Sequence, residues 1–235
     1  MKALPASLIG FGLSAMASQA ALVTVTSVTA SEWGDRFGNG PTYTNNRSGI
    51  DTSADPNDPS QWVFSGTAYQ DEWMATPFGS PALNSKLAWI SYDFGSDVSL
   101  ETMYLFNNSY QGGISGTNQF NIYYTSSPAV ALPATPTNNN FAVTGTSPQG
   151  DYDFSTWTLF NTSGNLSATQ NATTTYDLTG VTARYVAIEI LSNHGDTFDG
   201  GRVGMDEVAF TSIPEPSIAL LSGLGFFILL RRRKR

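Results

Sequence analysis

Segment 183–190 reads ARYVAIEI and segment 203–210 reads VGMDEVAF, and these two runs decide the fold. In the first, Val186, Ile188 and Ile190 recur at every second position, so an extended chain places them on one face. The second alternates less cleanly but is rich in strand-favouring residues and closes the body of the chain. Working outward, Phe120, Ile122 and Tyr124 repeat the same period, and so do Val23 and Val25 within 22–29. Residues 87–94, with Trp89, Tyr92 and Phe94, read as a strand that ends at Gly95, and 100–106 reads as the next. Segments 157–160 and 174–178 are shorter strands. Turn residues fill the intervals. Residues 31–60 carry Gly34, Gly38, Gly40, Pro41, Asn45 and Asn46 before Asp55-Pro56-Asn57-Asp58-Pro59. Residues 127–150 hold four prolines and an Asn triplet and read as a long insertion, while 161–173 is biased to Asn, Ser and Thr. No segment between 22 and 212 has a helical period of useful length. Eight or so short strands with long loops predict an all-β domain, a jelly-roll β-sandwich.

Charge and cysteine content narrow the chemistry. Outside the two termini the only cations are Arg36, Arg47, Lys86, Arg184 and Arg202, against 19 carboxylates counting Glu215, a net of about −14. Such a surface repels nucleic-acid phosphates and predicts no nucleic-acid partner. It suits divalent cations instead. With no cysteine there is no disulfide, no thiolate chemistry and no Cys-zinc site. Abundant Gly, Asn, Ser and Thr with few charges reads as a turn-rich extracellular β protein.

The termini read as addresses. Lys2, an apolar run over 4–17 and Ser18-Gln19-Ala20 form a Sec-type signal peptide, assigned to residues 1–21. At the other end Pro214-Glu215-Pro216 precedes an apolar run over 218–230 and then Arg231, Arg232, Arg233, Lys234 and Arg235. The run is short against the roughly 20 residues of a comfortable span. The basic end stays cytoplasmic by the positive-inside bias, so the body lies across the membrane. Residues 213–235 thus read as a transmembrane helix with its flanks, and 22–212 as the exported body.

In that order, the three C-terminal parts resemble the PEP-CTERM sorting signal of Gram-negative bacteria. The resemblance implies an exosortase as processing partner, cutting near Pro214, Glu215 and Pro216. It also implies delivery to the cell envelope, outer surface or extracellular matrix, with membrane attachment by the C-terminal helix before processing. A second resemblance spans the body. Ser48-Gly49-Ile50-Asp51 with Ser60-Gln61-Trp62, Ser91-Tyr92-Asp93-Phe94-Gly95 before Leu100-Glu101, segment 183–190 and segment 203–210 are similar, in order, to galactose-binding-like (F5/8 type C, discoidin-like) domains. The usual Asp-Gly pair is Asp51-Thr52 here, and the loop to Trp62 is longer than typical.

That likeness implies a structural calcium ion tying the early loop to the closing strand, with Asp51, Ser60 and Glu207 as ligands and Asn57 or Asp58 supplying a further oxygen. It also implies a sugar site on loops at one end of the sandwich. Asn193-His194-Gly195-Asp196 with Asp199-Gly200-Gly201-Arg202 marks such a loop. By residue type Tyr69, Trp73, Tyr110, His194 and Arg202 are the carbohydrate-binding candidates, with Trp62, Trp89 and Trp157 assigned to the core.

Catalysis lacks its residues. His194 is the single histidine, so three-histidine and HExxH zinc sites are excluded, and no Gly-x-Ser-x-Gly elbow occurs. The adjacent pairs Asp71-Glu72 and Asp206-Glu207 would point to opposite faces of a strand, which does not suit paired-carboxylate glycoside hydrolysis. The sequence therefore predicts a non-catalytic, exported β-sandwich that engages polysaccharide, with a structural matrix or floc protein lacking specific sugar binding as the competing reading. Asn-x-Ser/Thr triplets, among them those at Asn107, Asn161, Asn165 and Asn171, leave glycosylation open.

Overall fold

Residues 20–31, 40–64, 72–75, 88–107, 113–134, 152–166, 173–197 and 202–213 are described by a computed structural model, for 161–165 in backbone only. All lie in the compact unit Ala20–Ile213. Residues 1–19 of the signal peptide, residues 214–235 of the sorting signal with Pro214, Glu215 and Pro216, and Tyr69 and Tyr110 lie outside the described residues.

Among the described residues the strands are β1 (Ala21–Leu22), β2 (Ser27–Ala30), β3 (Ile50–Asp51), β4 (Val63–Phe64), β5 (Trp73–Ala75), β6 (Ala88–Asn107), β7 (Gln119–Thr125), β8 (Thr158–Asn165), β9 (Thr173–Asp177), β10 (Thr182–Ile190) and β11 (Val203–Ser212). Every strand pairing is antiparallel. The predicted all-β architecture holds.

One strand joins two layers. The first half of β6 pairs with β10 and β2, and β10 continues through β7 to β8. The second half of β6 pairs with β9 and β11, and β11 carries β1 and β5 on its other edge. The sequence reading ends one strand at Gly95 and starts another at Leu100. The structure instead runs one 20-residue strand through both. The turn between layers sits at Gly95, whose φ of +81° is left-handed, and an added Cβ there would lie 3.0 Å from Thr26 Oγ1. Opposite it, the register steps from Ala183↔Val98 to Tyr185↔Asp93, so β6 bulges over 94–97 against the single residue Arg184. The first strand of the sequence reading, 22–29, is likewise divided. Its two ends, β1 and β2, pair with different partners.

The main core lies between the layers. Ile90, Tyr92, Phe120, Ile122, Val186 and Ile188 from one layer meet Met103, Leu105, Val203, Met205, Val208 and Phe210 from the other. Phe210 takes Tyr92 and Phe94 edge-on at 5.3 and 5.0 Å between ring centroids. Burying each large apolar side chain of this set is worth about 1.5–3 kcal/mol.

Both outer faces are also covered, which the sequence reading did not anticipate. Trp89, Phe154, Trp157 and Ala187, with Tyr123, Tyr152 and Tyr185 beside them, form an aromatic cluster on the outer face of the β10–β7 layer. Tyr123 stacks on Phe154 at 4.9 Å, and Asp153 caps the short turn Phe154–Thr156 by accepting from Ser155 N at 2.8 Å. On the other layer Ile50, Trp62, Phe106 and Ala209 cluster, with Trp62 stacked 6.2 Å from Phe106. The three tryptophans expected as core residues are buried as such, in these two clusters rather than between the layers. Trp73, expected as a sugar platform, is fully buried in the main core.

Candidate functional site

At one end of the sandwich the segments 113–117 and 193–197 meet the start of β11. Isolated bridges join Gly116 to Gly204 and Thr117 to Asn193. Asn107, the last residue of β6, uses its amide as a strand would: Nδ2 donates to Thr117 O and Oδ1 accepts from Thr117 N, both at 2.9 Å. Gly116 is required here, because a Cβ would lie 2.8 Å from Asn107 Nδ2. Asn193 ties the second segment by donating to Asp196 O at 3.0 Å and Arg202 O at 2.8 Å, while its Oδ1 accepts from Gly195 N.

Beneath these loops lies a buried ion pair. Arg202 Nε donates to Asp196 Oδ2 at 2.8 Å, with side chains 5% and 1% exposed. The Ser115 hydroxyl donates to the same oxygen. A pair so desolvated gains little net stability, but it fixes the loops that supply it. Above it, His194 N donates to Ile114 O at 3.1 Å, and Ile114 stands 39% exposed. His194 is half-buried, and its Nε2 is buried with no hydrogen-bond partner.

The carbohydrate candidates are thus dispersed. His194 sits at the loop end and Arg202 sits below it as a buried brace, so Arg202 is not a surface ligand contact. Trp73, buried in the core, is no stacking platform. Tyr69 and Tyr110 are outside the described residues. Ser115, Asp196 and Asn107, which organise this end, were not among the candidates. Asp196 stood in a recognisable polar run, whereas Ser115 is 81 residues away in sequence and gave no signal.

The calcium candidates divide in the same way. β11 carries a bulge, stepping from Met205↔Asn107 to Glu207↔Phe106, and after it the core-facing positions change from Val203 and Met205 to Val208 and Phe210. Glu207 is 2% exposed, and its Oε2 accepts from Arg47 N at 2.7 Å. Arg47 holds that geometry in a left-handed backbone conformation, φ +63°. Burial pushes the Glu207 carboxyl up to about 8, against the lowering effect of the Arg47 N–H. Asp206 is also buried, so this pair is not one inward and one solvated carboxylate.

Asp51, Asp58 and Ser60 bond within their own loop. Asp51 accepts from Ser53 N at 2.8 Å, and Asp58 accepts from Ser60 N, Ser60 Oγ and Gln61 Nε2. Asn57 donates its backbone N–H to Asp55 Oδ1. Among the described residues no three His, Cys, Asp or Glu side chains gather. The donors suit calcium in kind, the buried Glu207 carboxyl together with the Asp, Asn and Ser oxygens of residues 51–60. An ion there would need backbone carbonyls to complete its shell.

No protein-family model matches the chain, and no curated protein matches it. Solved structures of similar shape include several carbohydrate-binding modules. One is the family 32 module of AlyQ in complex with 4,5-unsaturated mannuronic acid, at 21% identity and TM-score 0.47, covering 80% of this chain and 96% of that one. Another is a pectin-binding module, at 14% identity and TM-score 0.48, covering 82% and 94%. A third is the family 32 module of NanJ from C. perfringens in complex with galactose, at 14% identity and TM-score 0.46, covering 83% and 100%. The fold of this chain rests on its own strand pairing.

Proposed function

We propose that this chain is an exported, non-catalytic β-sandwich that binds polysaccharide at the loop end formed by 113–117, 193–197 and Arg202. The observation that carries the reading is the buried Arg202–Asp196–Ser115 brace. It braces the loop tip that carries the half-buried His194 beside an exposed aliphatic side chain, Ile114. A sugar ring offers the matching pair of surfaces, hydroxyls at its edge and C–H groups on its face. Binding sites of this kind need polar groups held on rigid supports.

The rest of the reading extends the sequence argument. The signal peptide and the Pro-Glu-Pro tail take the protein through the inner membrane to an exosortase and then to the outer surface or matrix, where exopolysaccharide is the ligand at hand. Calcium, held by Asp51, Ser60 and Glu207 with Asn57 or Asp58 supplying a further oxygen, is structural. It supplies the positive charge that a buried Glu207 carboxylate otherwise lacks.

The test is a glycan and exopolysaccharide array probed with the full chain, with calcium and then with chelator. Saturable binding to a defined glycan that His194→Ala removes supports the proposal. A folded sample that binds nothing in either condition overturns it and leaves the structural matrix role.

A further inference from the structure

A second polar site lies on the outer face of the other half of the molecule. Between β2, the first half of β6, the start of β10 and segment 128–132 is a cavity of about 270 Å³. Ser27 and Thr29 line it from β2, Ser91 and Asp93 from β6, and Tyr185 from β10. These residues share a face because Ser91↔Thr29 and Asp93↔Ser27 are register pairs, and Tyr185↔Asp93 is another. The 128–132 segment closes the far side with Pro128, Ala131 and Leu132, and Tyr152 holds that segment by donating its hydroxyl to Val130 O.

The groups in the cavity are specific about charge. Asp93 is already saturated: Arg184 donates to its two oxygens at 2.8 and 2.9 Å, and Gly95 N donates at 2.7 Å. The carboxylate therefore has little capacity left for a cationic ligand. Ser91 is the opposite case, with a buried hydroxyl that has no partner. Rotation about χ1 to another staggered well turns such a hydroxyl, so a ligand can supply what it lacks. With Ser27 and Thr29, three hydroxyls that donate and accept face apolar walls of Tyr185, Leu132 and Pro128. The volume falls just below the roughly 300–1,000 Å³ usual for small-molecule sites, room for one ring rather than a chain. An anionic ring would meet the acidic surface of the body.

We infer that this cavity binds one neutral, polyhydroxylated ring, a monosaccharide unit or a cyclic polyol of that size, independently of the loop-end site. Hydroxyl-to-hydroxyl contacts to Ser27, Thr29 and Ser91 fix its edge, and Tyr185 with the 128–132 segment packs against its faces.

The experiment is an amide-resolved NMR titration of the full chain with D-galactose and D-glucose, and with D-glucuronate as the charged counterpart. The expected result is saturable shifts at Thr29, Ser91, Asp93 and Ala131 with a neutral pyranose and weaker ones with glucuronate. Ser91→Ala should weaken that response roughly two- to tenfold, the share of one neutral hydrogen bond. Ala131→Trp places a bulky ring at an exposed position of the wall and should abolish it while the remaining spectrum stays native. Shifts confined to 113–117 and 193–197 would overturn this inference and leave the loop-end proposal standing. Unchanged titration of Ala131→Trp would overturn it too.

Discussion

Replacing Arg202 by Met tests whether the brace under the loop end is what holds it. The substitution removes a guanidinium 2.8 Å from Asp196 Oδ2, where the two side chains are 5% and 1% exposed. Breaking one side of so buried a pair leaves a desolvated carboxylate and costs about 3–5 kcal/mol. At about 2–4 °C per kcal/mol for a domain of this size, the melting temperature falls by roughly 6–20 °C. The double variant Asp196→Leu/Arg202→Met removes both charges, keeps the volume apolar and should recover most of the loss. The assay is urea unfolding followed by tryptophan fluorescence and near-UV dichroism, with unchanged m values as the check on two-state behaviour. The coupling energy comes from completing the cycle with Asp196→Leu alone. A loss below about 1 kcal/mol for Arg202→Met would refute the argument, because the pair would then not be desolvated in solution. A double variant no better than the single would refute it as well.

Other substitutions read other parts of the molecule. Calcium at about a hundred times its Kd should stabilise the protein by about 2.7 kcal/mol; chelator should remove that gain and Glu207→Gln should abolish the response, whereas a melting temperature indifferent to chelator would discard the ion. Gly95→Ala forces a Cβ into a left-handed position 3.0 Å from Thr26 Oγ1 and should cost about 1–2 kcal/mol by denaturant titration. Trp157→Ala empties the centre of the aromatic cluster on the outer face and should cost about 3–5 kcal/mol, with near-UV dichroism reporting the lost ring contacts. The hydrogen bonds from Arg184 hold the Asp93 carboxyl below the usual carboxylate range, so their stabilisation is present above the unfolded-state pKa of about 3.9 and is lost as pH falls through the folded value. Arg184→Gln should therefore move acid unfolding to higher pH, and superimposable acid limbs would count against the pair.

The strands were legible wherever one period dominated. Val186, Ile188 and Ile190 announce β10, and Phe120 and Ile122 announce β7, because their alternate faces meet the main core. The burial of Trp62, Trp89 and Trp157 was legible, but not the side of its layer on which each packs. Alternation tells which side chains share a face, but both faces of each layer are covered here, so burial alone does not say which side is the core. Gly95 looked like a terminus because a left-handed glycine ends many strands, yet here it carries one strand across two layers. The bulge at Asp206 and Glu207 changes which residues of β11 face inward, and no local pattern encodes a bulge set by the partner strand. Of the loop-end site, the polar run from Asn193 to Asp196 was readable, and His194 with it. Ser115 and Asn107 reach it only through tertiary contacts, so their roles had no sequence signature.

Sugar binding at the loop end that bears His194 is open to direct measurement. Isothermal titration of the strongest glycan from the array into the full chain, wild type against His194→Ala, tests it most directly. The wild type should bind saturably, and the variant should lose roughly tenfold or more in affinity. Equal affinity in the two proteins, or no saturable binding by a natively folded wild type, would contradict a sugar site at this loop end.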